Sequence, residues 1–108
     1  MQKPLQLEFM EDAEDFLDNL PDKDRDKFLT YFELVESGQM GTWFKKLSGQ
    51  ENLWEFRVKS YRLFAFYSEQ EDSLVICTHG FVKKQQRTPL KELKKAQSLK
   101  RTYHEDGS

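Results

Sequence analysis

Five side chains in the second half of this 108-residue chain, Arg57, Arg62, His79, Lys83 and Lys84, are of the types that phosphate chemistry uses. Each guanidinium presents a planar fork of N–H donors and stays charged at any physiological pH, so two held side by side suit one phosphodiester. Cleaving RNA requires the ribose 2′-hydroxyl to attack the adjacent phosphorus, positive charge where the phosphorane develops, and groups that move protons. Electrostatic stabilisation is often the largest catalytic contribution. Arg57, Arg62, Lys83 and Lys84 could provide it, and His79 has the side chain best suited to proton transfer near neutrality. Tyr103 and His104 are alternative acid–base candidates. Together with Lys45, Lys46, Lys59 and Arg87 they complete the residues expected to meet an RNA strand. There is no Ser/His/Asp order, no phosphate-cradling glycine loop and no metal-ligand spacing in the sequence, so neither a cofactor nor a metal is expected.

These groups can act together only if the backbone brings them to one place. WEFRV (54–58) and YRLFAFY (61–67) alternate as β-strands do, with Lys59 and Ser60 between them. A two-residue turn there sets Val58 opposite Tyr61, Arg57 opposite Arg62, Phe56 opposite Leu63 and Glu55 opposite Phe64. Trp54, Phe56, Val58, Tyr61, Leu63 and Ala65 then form an apolar face, and Glu55, Arg57 and Arg62 share the other. Like charges directly opposite on a sheet destabilise it, within the roughly 0.2 to 1 kcal/mol range of cross-strand pairs. Selection for stability alone gives no reason for the pair. Glu55 could also pair with Arg57 and leave Arg62 in solvent.

The remaining elements follow from period and punctuation. LQLEF (5–9) alternates as a half-buried strand. From Glu11 the period becomes helical, with Ala13, Phe16, Leu17 and Leu20 on one face until Pro21. A second helix fits 22–37, with Phe28, Leu29, Phe32 and Val35 inward and Gly38 at the left-handed C-terminal position. SLVICTH (73–79) is a third β-rich run after the hairpin, and a last helix is capped by Thr88, has Pro89 at its first position and ends near His104. The segment WFKKL (43–47) is compatible with a turn or a short strand. The order β-α-α-β-β-β-α describes an α+β domain of residues 1–104, with helices over one face of an antiparallel sheet and a frayed tail at 105–108.

Composition sets the partners. Residues 1–41 carry 4 Lys and Arg against 11 Asp and Glu, whereas residues 42–104 carry 13 against 6. The basic second half suggests a polyanion partner, although the chain as a whole has net charge -2. No apolar run approaches the roughly 20 residues that span a bilayer, and no secretion signal opens the chain, so a cytoplasmic protein is expected. Cys77 is expected as a small buried strand residue.

The stretches KKLSGQENLWEFRVKSYRLFAFY and LVICTHGFVKKQQRTPLKELKKA resemble the RelE/HigB-type toxins of bacterial and phage toxin–antitoxin modules, particularly the phage-derived HigB-like branch. The resemblance covers about residues 45–103. It implies a RelE-like fold and an endonuclease that cuts messenger RNA on the translating ribosome without a metal, neutralised by an antitoxin that in this branch is often a HigA-like helix-turn-helix protein. Arg62 matches the family's arginine beside the scissile phosphate and Arg57 a basic strand position. Lys83 and Lys84 lie near another phosphate-facing arginine, and Glu55 stands where several RelE-type enzymes place a lysine. ParE-type toxins share this fold and poison gyrase, which is the alternative activity. A non-catalytic docking module is the third reading.

Overall fold

The computed structural model describes residues 4–106. Strand β1 (Gln6–Phe9) leads into helices α1 (Glu11–Asp18) and α2 (Asp22–Glu36). Strands β2 (Phe44–Lys46), β3 (Trp54–Val58), β4 (Tyr61–Tyr67) and β5 (Leu74–Val82) follow, and helix α3 (Leu90–Asp106) closes the order. The last helix thus runs beyond the expected end at His104, and residues 107 and 108 of the expected frayed tail lie outside the described residues.

One five-stranded sheet, in the order β1-β5-β4-β3-β2, organises the fold. The meander β3–β4–β5 is antiparallel as expected, and β2 adds antiparallel to β3. The expectation of a wholly antiparallel sheet is corrected at one edge, where β1 pairs parallel with β5, Gln6 beside Leu74 and Phe9 beside Cys77. The α1–α2 hairpin supplies the crossover that such a parallel arrangement demands.

Both faces of the sheet carry helices, which corrects the expectation of a single covered face. Helices α1 and α2 lay Ala13, Leu17, Phe28, Phe32 and Val35 on Phe56, Val58, Leu63, Ala65 and Cys77. Helix α3 covers the opposite face, with Ala96 and Leu93 against Leu53 and Phe64, and Tyr103 against Phe66, Leu74 and Ile76. The signal for that second layer lies in β4, where Arg62, Leu63, Phe64, Ala65 and Phe66 are all buried. Each large apolar side chain so buried stabilises the fold by about 1.5–3 kcal/mol. A strand buried on both sides needs no alternation.

Strand β5 holds the irregularity that matters for the site. Leu63 pairs with Gly80 and Ala65 with Cys77, so Thr78 and His79 together face Phe64. This β-bulge inserts one extra residue and reverses the side-chain phase. Cys77 therefore belongs to the α1–α2 face, whereas His79 stacks near Phe64 and Phe81 toward α3. Gly80 lies directly under the Phe16 ring of α1, at a distance that leaves no space for a Cβ.

Candidate functional site

The β3–β4 register is the expected one, with Val58 opposite Tyr61, Arg57 opposite Arg62 and Glu55 opposite Phe64. Lys59 takes the left-handed conformation (φ 53°) that lets two residues close the turn. Alternation then puts Lys45, Glu55, Arg57 and Arg62 on the α3 side of the sheet, because Lys45 is the direct partner of Glu55 across β2 and β3.

Glu55 sits between the two arginines. Its Oε2 lies 3.6 Å from Nε of Arg57 and its Oε1 3.7 Å from Nε of Arg62. The Arg57 side chain is 39% exposed, whereas those of Arg62 and Glu55 are 8% and 9% exposed. The alternative in which Glu55 pairs with Arg57 and leaves Arg62 in solvent is therefore not what the geometry shows. Arg62 Nη1 donates to the carbonyls of Lys59 and Tyr61 at 2.7 and 3.0 Å, which fixes the guanidinium at the turn. Burial lowers the Arg62 pKa, the neighbouring Arg57 charge lowers it further, and Glu55 opposes both. A guanidinium nonetheless stays charged near neutrality.

Two buried polar atoms here, Arg62 Nε and Glu55 Oε1, have no hydrogen-bond partner among the described residues. They face each other at a distance too long for a hydrogen bond. Buried donors are almost always satisfied, so this Nε, closed off from solvent and just out of hydrogen-bond reach of a carboxylate, leaves the pair incompletely compensated.

Lys83 joins the pair. Strand β5 extends three residues past the expected end at His79, and the Lys83 N–H donates to the Ser60 carbonyl at 2.7 Å, continuing the ladder. With Arg62 opposite Phe81, Lys83 is the diagonal neighbour of Arg62, about 7–8 Å away at the backbone. Lys83 and Arg87 also line an open groove of about 650 Å³ with Leu47, Gln50 and Leu93. Lys84 faces elsewhere, into a smaller depression with Phe81, Lys91 and Glu92.

The other expected residues do not converge. His79 is 2% exposed, with Nε2 3.1 Å from Glu92 Oε1 and Nδ1 3.1 Å from Thr78 Oγ1. Burial lowers its pKa, and the Glu92 contact opposes that shift. A ring enclosed in this way cannot reach a strand on the surface, so the expectation of His79 as proton carrier is revised to a core residue that ties α3 to β5. Tyr103 donates to Glu8 at 3.1 Å and His104 Nε2 accepts from the Glu69 N–H at 3.2 Å. Both stand near the far end of α3, about 18 Å along the helix from Glu92 at 1.5 Å per residue, and so away from the arginines. Lys59 turns to the α2 side, where its Nζ meets Asp24 at 2.9 Å, and Lys46 caps the Gln50 carbonyl at 3.0 Å.

Sequence reasoning missed the Thr78–His79–Glu92 network and the central position of Glu55. The second was legible as a shared face. The first depends on the bulge, which no residue in THGFV announces.

Three comparisons bear on this arrangement. Residues 15–101 match the family described as Phage derived protein Gp49-like (DUF891). No curated protein matches the sequence. Among solved structures, a free-state double-arginine mutant of the E. coli toxin RelE has a TM-score of 0.63 at 20% identity, over 92% of this chain and 98% of that one. The RelE–RelB complex of Pyrococcus horikoshii gives 0.61 at 16% identity, over 77% and 99%, and the toxin–antitoxin complex RelBE2 of Mycobacterium tuberculosis gives 0.58 at 17%, over 79% and 100%. At these identities the likeness is one of fold. With that fold and a match spanning most of its length, this chain belongs to the phage-derived Gp49-like family and is built on the RelE backbone.

Proposed function

We propose that the chain is the toxin of a type II toxin–antitoxin module: a cytoplasmic, metal-independent endoribonuclease that cuts messenger RNA on the translating ribosome and is neutralised by a cognate antitoxin of the HigA-like helix-turn-helix kind. The observation that carries this reading is the Arg57–Arg62 pair, an exposed guanidinium beside an enclosed one, with Lys83 at the diagonal position. A phosphodiester seated on these three cations would have its developing phosphorane charge met by a guanidinium, that of Arg62, which the turn carbonyls already hold in place. Such preorganised donors are each worth about 2.7–4 kcal/mol in the transition state. The antitoxin partner is supported by structural neighbours described as toxin–antitoxin complexes. His79 acts here through position alone, by holding α3 against β5.

The test is to induce the wild-type protein and Arg62→Ala in bacteria and map transcript 5′ ends. The expected result is codon-biased cutting by the wild type and a fall of about a hundredfold to a thousandfold in cutting by the variant. Growth arrest with intact messages would overturn the proposal. A DNA-damage response without cuts would point to gyrase instead.

A further inference from the structure

The acidic N-terminal half contains a basic stripe that the proposed active site does not use. Lys23, Lys27 and Tyr31 follow one another at intervals of four along α2, which places them on one face of the helix. Lys23 and Lys27 are exposed, and neither has a carboxylate within ion-pair distance among the described residues. Like charges at this spacing destabilise a helix by about 0.2–0.5 kcal/mol. Across from them the tip of the β3–β4 hairpin projects Arg57 and Lys59, and the four cations wall an open pocket of about 370 Å³.

The pocket's one lining carboxylate, Asp24, is buried and already held by Lys59. Nearby Asp22 is taken by Arg25 at 2.8 Å. Tyr31 forms the back wall, fixed by a parallel stack on Trp43 (4.5 Å between ring centroids, 1° between planes), and Lys27 Nζ stands 5.6 Å over its ring. Arg57 borders this pocket and also flanks Glu55 on the other side of the sheet, so one strand of polyanion can run from one place to the other around the hairpin tip.

We propose that Lys23, Lys27, Arg57 and Lys59 form a second phosphate subsite, which holds the backbone of the same RNA strand at a phosphate neighbouring the one on the Arg57–Arg62 pair. This inference rests on the RNA-cleaving reading and extends it to strand path. The ligand is a single-stranded RNA phosphate, recognised by charge without base readout.

The experiment measures binding of a 2′-O-methylated, uncleavable single-stranded RNA by fluorescence anisotropy across a salt series. It compares wild type, Lys23→Ala/Lys27→Ala, and the control Lys94→Ala/Arg101→Ala, which removes the same charge from exposed positions on α3. Each lost single-strand phosphate contact lowers the logarithmic salt slope by about 0.7, so the α2 variant, which gives up the one phosphate of this subsite, is expected to lose about 0.7 and the control little. Thermal melting of each variant confirms that these surface changes leave it folded. If the α2 variant keeps the wild-type affinity and slope, or the control loses as much, the subsite is overturned; transcript cutting by the wild type would still stand. Salt-independent binding by the wild type would overturn both readings.

Discussion

Replacing Glu55 with Gln keeps the shape of the side chain and removes the one negative charge between Arg57 and Arg62. At 3.6 and 3.7 Å, each carboxylate–guanidinium attraction is about 4.5 kcal/mol before desolvation, for an effective permittivity near 20. Most of that is offset, because burying the carboxylate itself costs several kcal/mol and the variant is spared this. Arg62 also keeps its two carbonyl acceptors at the turn. We therefore expect Glu55→Gln to destabilise the fold by about 1–2 kcal/mol, well below the 3–5 kcal/mol of a tightly bonded buried pair. For a chain of this length that is a fall in Tm of roughly 4–16 °C. RNA affinity should move the opposite way. A phosphate seated on both guanidiniums lies within about 7 Å of the carboxylate, where like charges repel by about 0.6–2.4 kcal/mol for permittivities of 80 to 20. The dissociation constant of an uncleavable RNA should thus fall by at least about threefold in the variant. Differential scanning fluorimetry and anisotropy on the same preparation read both quantities. A variant as stable as wild type that binds RNA no more tightly would refute the placement of Glu55 as the counter-ion of the pair.

Three further outcomes follow from buried groups. The folded-state pKa of His79 lies below its unfolded value, so its contribution to stability is fully present above about pH 6.5 and is lost as pH falls through the folded pKa. Urea titrations should show stability dropping below pH 6.5 by at most about 1.4 kcal/mol per pH unit from this group, and His79→Gln should remove that part of the slope. A Gly80→Ala change forces a methyl into the Phe16 ring and should cost about 1–3 kcal/mol, read as a lower Tm by thermal melting. Burial pushes the Cys77 thiol up, so a disulfide-exchange reagent should leave it unmodified in the native protein and react promptly once urea unfolds the chain.

The hairpin was readable because its alternation admits one sensible face assignment: a slip by one residue would press Arg57 and Glu55 into the α1–α2 core and turn Phe56 and Val58 away from it. Helices α1 and α2 were readable from the spacing of Phe16, Leu17, Phe28 and Phe32 between acids. The parallel edge was not, because LQLEF carries the pattern of a half-buried strand whichever way its neighbour runs. The burial of His79 was hidden for a different reason. A bulge shifts which face a residue takes without any change in residue type, and Gly80 marks it only once Phe16 is known to lie above. Glu55 was visible on the arginine face, yet its distance to each partner depends on packing that no periodicity encodes.

The pairing of Gln6 with Leu74 makes the first described strand wait for the last. A nascent chain leaving the exit tunnel cannot complete its sheet until β5 has emerged, since β1 has no other described strand to bind. Long-range pairings of this kind slow folding, because loop closure is paid before the contacts form. The helical hairpin and the β3–β4 pair, built from neighbouring segments, can therefore form before the sheet closes at its parallel edge.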